Sequence, residues 1–267
     1  MNEPVRVISD LHLGHRVSRI ENVGRLRPLI AGAGTLVFNG DTWQELAKEL
    51  KEKSRGLLQE LEKICREEGC QPVFLPGNHD PSWPGKGYLE LAEGKIVITH
   101  GDALLRDGSP WKREILTGAA KVEGIWSQHP DAETDVDERH LVAREIATAL
   151  PSVNHSKGRK IWQRAFDAVT PPQRGIEMLK AWTGQPARAV DFCDRYFPQA
   201  EFLLIGHFHW GGSWMKQGRR VINTGSFLNP GRAYWAEFGE GCLSYGLVEE
   251  KPEGCRKGRV LGKWNLS

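Results

Sequence analysis

The chain has 267 residues, and 36 Lys and Arg against 34 Asp and Glu leave a formal charge of +2, too balanced to argue for a nucleic-acid partner. It is long enough to bury a substantial core as one large domain or two small ones, and no run of about 18 apolar residues predicts a membrane-spanning helix. Cys65, Cys70, Cys193, Cys242 and Cys255 are irregularly spaced with no C-x-x-C pair, which argues against a disulfide framework or thiolate metal site and predicts a reducing, cytoplasmic setting.

Met1-Asn-Glu-Pro4 leads straight into Val5–Ile8, an apolar run that predicts a strand, so no secretory signal is expected. Residues 17–31 carry Ile20, Val23, Leu26, Leu29 and Ile30 at helical spacing. A second strand, Leu36–Phe38, ends at Gly40-Asp41, and 45–68 predicts a long helix stopped by Gly69. Pro72–Leu75 leads into Pro76-Gly-Asn-His-Asp80; 88–92 and 95–99 predict a hairpin through Glu93-Gly94. Beyond residue 200, strands are expected at 202–206, 213–217, 220–224, 242–249 and 259–264. Strand–helix alternation followed by antiparallel strands predicts an α/β fold of two packed mixed β-sheets flanked by helices.

Residues 105–199 break that scheme with helical stretches at 111–121, 136–150, 158–169 and 173–197, the last interrupted at Gly184-Gln-Pro186. Asp135 or Asp137 is a candidate cap for the second, and Pro171-Pro172 would start the fourth. The expected division is a core of 1–104 and 200–267 with 105–199 as a helical cap insertion. Between Ile146 and Phe166 there is no acidic residue, but Lys157, Arg159, Lys160 and Arg164 are present. Arg159 and Lys160 are candidate substrate residues for phosphate charge, a solvated helix face being the plain alternative. Trp111, Trp126, Trp162 and Trp182 would line an apolar groove or pack between helices.

Five polar blocks follow strand-like runs: Asp10-Leu-His12, Gly40-Asp41, Gly77-Asn-His-Asp80, His100-Gly101 and Gly206-His-Phe-His209. They contain three carboxylates, one amide and five imidazoles. Loops at the carboxyl ends of strands in an open α/β sheet converge on one crevice, and a mixed N/O cluster of this size suits two transition-metal ions. On an extended backbone His207 and His209 would point to one side. Such a pair of metals both acidifies a water and clamps phosphoryl oxygens, the two needs of phosphoester hydrolysis.

The order of these blocks resembles the calcineurin-like metallophosphoesterase family, with its D-x-H, G-D, G-N-H-D, H and G-H-x-H pattern, over about Val5 to Asn229. The resemblance implies the metallophosphoesterase sandwich. It implies one metal on Asp10, His12 and His209, another on Asn78, His100 and His207, and Asp41 bridging. It also implies that His79 contacts phosphate and protonates the leaving oxygen while Asp80 fixes its orientation. Asp102 could accept from a metal-bound histidine or serve as a cap. Many members carry an acidic residue shortly after G-D; here Thr42, Trp43 and Gln44 come before Glu45.

The implied function is a dinuclear metal-dependent phosphoesterase, a phosphoric ester hydrolase that cleaves a phosphoester or pyrophosphate bond by metal-activated water attack. The metals would be manganese, with iron or zinc as alternatives, and the substrate a phosphorylated small molecule or a lipid-linked one. Asp10-Leu-His-Leu13, His100-Gly-Asp102 and the basic Ser156–Ile161 segment are similar to UDP-2,3-diacylglucosamine hydrolase, a pyrophosphohydrolase of lipid A synthesis. Two rival readings are a nuclease, which would show a basic stripe, and a non-catalytic scaffold of the same fold, which would show replaced ligands.

Overall fold

The computed structural model describes residues 1–109, 118–150 and 172–266, with side chains described from 175 onward in the last stretch. Strands β1 (Val5–Ile8), β2 (Thr35–Asn39) and β3 (Gln71–Leu75) run parallel. On its other edge β1 pairs antiparallel with β9 (Tyr234–Gly239), followed by β10 (Cys242–Lys251) and β11 (Gly254–Asn265). The resulting sheet has six strands in the order β11-β10-β9-β1-β2-β3. A second sheet contains β4 (Tyr88–Leu91), β5 (Ile96–Thr99), β6 (Phe202–Ile205), β7 (Gly212–Lys216) and β8 (Arg219–Asn223), ordered β4-β5-β6-β8-β7. Here β5, β6 and β8 are parallel and the two edges antiparallel.

Alternation along each strand builds the layers. Val5, Val7, Val37 and Leu75 of the first sheet meet Ile96, Ile98, Phe202, Leu204 and Ile222 of the second. The opposite side of the first sheet, with Ile8, Leu36 and Phe38, packs on α1 (Arg27–Ile30) and α2 (Lys51–Glu67) through Leu29, Ile30, Leu61 and Ile64. The outer side of the second sheet, with Val97, Leu203, Ile205 and Val221, lies under Ala181, Ala189, Val190 and Phe192 of α5 (Pro172–Tyr196). Each such Val, Leu, Ile or Phe side chain contributes roughly 1.5–3 kcal/mol when fully buried. Between β5 and α5, helices α3 (Ala119–Gln128) and α4 (Val136–Ala149) share a smaller core of Val122, Ile125, Trp126, Val142 and Ile146. Among the described residues no helix is long and apolar enough to cross a membrane.

The α/β class and the two mixed sheets are as the sequence predicts; several elements differ. Over 17–31 there is a 3-10 turn, Val23–Leu26, and then the single turn of α1. Ser18 instead bridges to Leu228, and the Arg19 guanidinium donates to the carbonyls of Ser226, Leu228 and Gly231. The helix expected from residue 45 begins at Lys51, because the Glu45 and Leu46 N–H groups donate to the His79 carbonyl. Helix α5 runs unbroken through Pro186. Proline there removes the N–H that would reach the Trp182 carbonyl, and the Gln185 Nε2 amide donates to it instead at 3.1 Å. Asp135 is the cap of α4, accepting from the N–H groups of Asp137 and Glu138. Strand β9 was not expected: Trp235 faces one core layer and Ala236 and Phe238 the other, so its sequence lacks polar alternation. The expected helix 158–169 lies outside the described residues.

Candidate metal centre

All five polar blocks leave the carboxyl ends of parallel strands: β1, β2 and β3 in one sheet, β5 and β6 in the other. Asn39 Nδ2 donates to the Thr99 carbonyl at 2.8 Å, and Ser9 Oγ lies 2.7 Å from Thr224 Oγ1. These bonds tie the two sheets together beside the converging loops. A Cβ on Gly206 would fall on Asp10 Oδ2, and one on Gly77 would fall on Asp41. Glycine at both places is therefore a packing requirement.

The backbone is strained where the site is built. Asp10, His12, Asp41, His207 and His209 have φ of 54°, 47°, 51°, 63° and 54°. A non-glycine residue held in this left-handed region costs on the order of 1–3 kcal/mol and persists only where its surroundings dictate it. This corrects the extended backbone expected at 207–209. The loop turns, Phe208 is fully buried in the core beneath it, and the two imidazoles enter the site from that turn.

Asp41 sits at the centre. Its Oδ2 lies 3.5 Å from His12 Nε2, 3.5 Å from His100 Nε2 and 4.0 Å from His79 Nε2. Asp10 Oδ1 lies 3.1 Å from His209 Nε2 and 3.8 Å from His12 Nε2. The nitrogens of His12 and His209 approach to 3.3 Å, as do those of His207 and His100. Asp10, His12, Asp41 and His209 form one donor group and Asp41, His100 and His207 a second, the ligand atoms within each lying within 4.8 Å of one another. Asn78 Oδ1 is buried and accepts no hydrogen bond from any described residue. An orphaned buried acceptor costs about 1–3 kcal/mol, and a cation would remove that cost. Imidazole, carboxylate and amide donors together fit divalent cations.

Charge is arranged to suit. Burial alone would raise the Asp10 carboxyl, but the imidazoles of His12, His209 and His100 hold it well below the usual carboxylate range. The Asp41 carboxyl, also buried, is held low by His100, His79 and His12. His100 is raised because Asp41 and Asp10 outweigh its burial, whereas burial and the neighbouring His100 push His207 down. His100 Nδ1–H donates to the Asn39 carbonyl at 2.9 Å, which turns its Nε2 toward Asp41.

The structure brings Asp10, His12, Asp41, His100, His207 and His209 together, with His79 beside Asp41 and Asp80 under the Asp41 loop. Asp80 is fully buried, and its carboxylate accepts from the N–H groups of Gly77, Asp41, Thr42 and Trp43 and from the Trp83 indole. It holds the Asp41 loop; the partner found on His79 Nδ1 is Gln44 Oε1, at 3.1 Å. Burial and the Asp41 charge push Asp80 up to about 8, against the amides that stabilise its anion. Asp102 Oδ1 accepts from the Ala103 N–H. Gln44 itself was missed; the one signal for it was its place in the loop just after Asp41. Arg159 and Lys160 lie outside the described residues.

No protein-family model matches the chain, and no curated protein does. Among solved structures it is similar to a dimetal phosphatase from Danio rerio, at 12% identity over 99% of this chain and 100% of that one, with a TM-score of 0.51. It is also similar to a predicted phosphoesterase from Streptococcus pneumoniae, at 16% identity over 99% of each chain and a TM-score of 0.40. Vacuolar protein sorting 29 from Cryptosporidium parvum aligns at 13% identity over 98% of this chain and 97% of that chain, with a TM-score of 0.43. At such identities the likeness concerns the fold alone, and the two-sheet α/β fold of this chain is like that of the dimetal phosphatase.

Proposed function

We propose that the protein is a dinuclear metal-dependent phosphoesterase. The observation that carries this is the pair of donor groups sharing the Asp41 carboxylate at the mouth of both sheets. Asp10, His12 and His209 would hold one cation, and Asn78, His100 and His207 the other. When bound, two divalent cations, manganese in this reading, acidify a water and neutralise phosphoryl charge. The chain's own residues then hold the ester: His79, its side chain about a quarter exposed, faces the cluster and donates to the phosphoester oxygens. Asp80 keeps the Asp41 loop rigid beneath it. Every proposed ligand position is filled, which favours an enzyme over a scaffold of the same fold.

Residues 105–199 supply the cap in this reading. Arg144 of α4 donates to the carbonyls of Trp83 and Gly85, so the helix is tied to the loop that follows Asp80. A cavity of about 570 Å³ bounded by Pro81, Ser82, Lys121, Ile125, Arg144 and Thr148 lies there. Its lining mixes apolar side chains with the bases Lys121 and Arg144 and one acid, Glu145. It would take the part of a phosphorylated or lipid-linked substrate beyond the scissile phosphate, and Arg159 and Lys160 would add positive charge. A UDP-linked diacylglucosamine is one substrate of this kind. All five cysteines are free thiols, which supports a cytoplasmic setting. The test is hydrolysis by metal-stripped, manganese-reloaded protein of an aryl phosphomonoester, a bis-aryl phosphodiester and a nucleotide-diphosphate sugar. Hydrolysis of at least one, abolished by chelator, is expected; no hydrolysis of any would overturn the assignment.

A further inference from the structure

Gln44 joins the two histidines on the Asp41 side of the site. It is 1% exposed. Its backbone N–H donates to Ser54 Oγ at 2.8 Å, and Ser54 Oγ donates to the Leu13 carbonyl at 2.6 Å. The next two N–H groups donate to the His79 carbonyl. So anchored, the side-chain amide places one end 2.9 Å from His12 Nδ1 and the other 3.1 Å from His79 Nδ1.

A primary amide donates from its nitrogen and accepts at its oxygen. It therefore cannot treat the two imidazoles alike: one Nδ1 must be bare and the other must carry hydrogen. Two orientations of the amide keep all heavy atoms in place. With nitrogen toward His12, a neutral His12 carries its proton on Nε2, the atom that faces Asp10, Asp41 and His209. A proton there excludes a cation. With oxygen toward His12, its Nδ1–H donates to Gln44 and its Nε2 lone pair is left for the metal. The amide nitrogen must then donate to a bare His79 Nδ1, and His79 carries its single proton on Nε2.

We infer that Gln44 couples the two: a cation on the Asp10, His12, Asp41 and His209 group forces His79 into the neutral tautomer with its proton on Nε2. This inference rests on the dinuclear phosphoesterase reading and changes what His79 does within it. An imidazolium needs hydrogen on Nδ1, which the same amide cannot accept while His12 ligates metal. His79 thus stabilises a phosphoester oxygen by hydrogen-bond donation, without handing its proton over. A carboxylate in the place of Gln44 would accept from both Nδ1–H groups and leave His79 free to be charged. Gln44 touches neither substrate nor cation; it is a positioning residue.

The test is nitrogen-15 NMR of histidine-labelled protein loaded with zinc, a diamagnetic probe, alongside zinc competition titrations of Gln44→Leu and Gln44→Glu. In the wild type, His79 should show hydrogen on Nε2 and a bare Nδ1. In Gln44→Glu, zinc should still bind and His79 should gain hydrogen on Nδ1. Gln44→Leu should weaken one zinc site about 10–100-fold, the usual cost of losing a residue that orients a ligand, and leave the other unchanged. A protonated His79 Nδ1 in the zinc-loaded wild type overturns the inference, whatever the variants do, and so does unaltered affinity in Gln44→Leu. Zinc uptake with the expected tautomers but no hydrolysis of any ester would sink the phosphoesterase reading alone. Protein that takes up no zinc would sink both.

Discussion

Replacing His140 with Phe should flatten the acid sensitivity of the fold. The ring is buried in α4, 5.6 Å from the Tyr88 ring and 6.0 Å from the Phe192 ring, and its Nε2 has no hydrogen-bond partner among the described residues. Burial first, then the charges of Arg144 and Arg139, push it down to about 3. The unfolded chain binds that proton with a pKa of about 6.5, so stability is full above that value and is lost as pH falls toward 3. At about 1.4 kcal/mol per pH unit, the window amounts to roughly 5 kcal/mol, of which about 2 kcal/mol falls between pH 7 and pH 5. For a chain of this length that is a Tm difference of roughly 4–8 °C. Thermal or urea melts in chelator at the two pH values measure it, and using the difference between them cancels any packing change from the larger ring. The wild type should lose about 2 kcal/mol more than His140→Phe; equal losses would refute a buried, neutral His140 and with it the docking of α4 on the β4–β5 hairpin.

Asp80→Ala removes the acceptor of four backbone N–H groups and an indole. It should cost about 3 kcal/mol or more, read as a lowered urea midpoint in chelator; a change within about 0.5 kcal/mol would show that the loop does not depend on this carboxylate. His79→Gln should retain full metal content and lose similar factors of kcat toward an alkyl phosphoester and its p-nitrophenyl counterpart. A far larger loss on the alkyl ester would instead show complete proton transfer to the leaving group.

The strands and the ligand-bearing loops are legible because a buried parallel strand is a short apolar run, and its polar successor stands out against it. Val5–Ile8 before Asp10 and Phe202–Ile205 before His207 are of this kind. What eludes the sequence depends on contacts made from elsewhere. The break expected at Gly184-Gln-Pro186 is absent because a side-chain amide of Gln185 replaces the backbone donor. The 17–31 helix is lost to contacts with residues near 228. At 207–209, turning the backbone into the left-handed region is forced by the Asp10 carboxylate, which accepts the His207 N–H at 3.0 Å. Gln44 in the loop after Asp41 gains its meaning only once both imidazoles are seen at its two ends.

Metal content measured against activity addresses the dinuclear site most directly. Wild-type protein loaded with manganese and desalted should retain two ions per chain and hydrolyse a phosphoester, as the two donor groups sharing Asp41 require. Asp41→Asn should retain fewer ions and show no detectable hydrolysis, because the bridge loses its charge. Wild-type protein that is fully active with at most one bound ion, or an Asp41→Asn variant with undiminished activity, would contradict a bridged pair of metals.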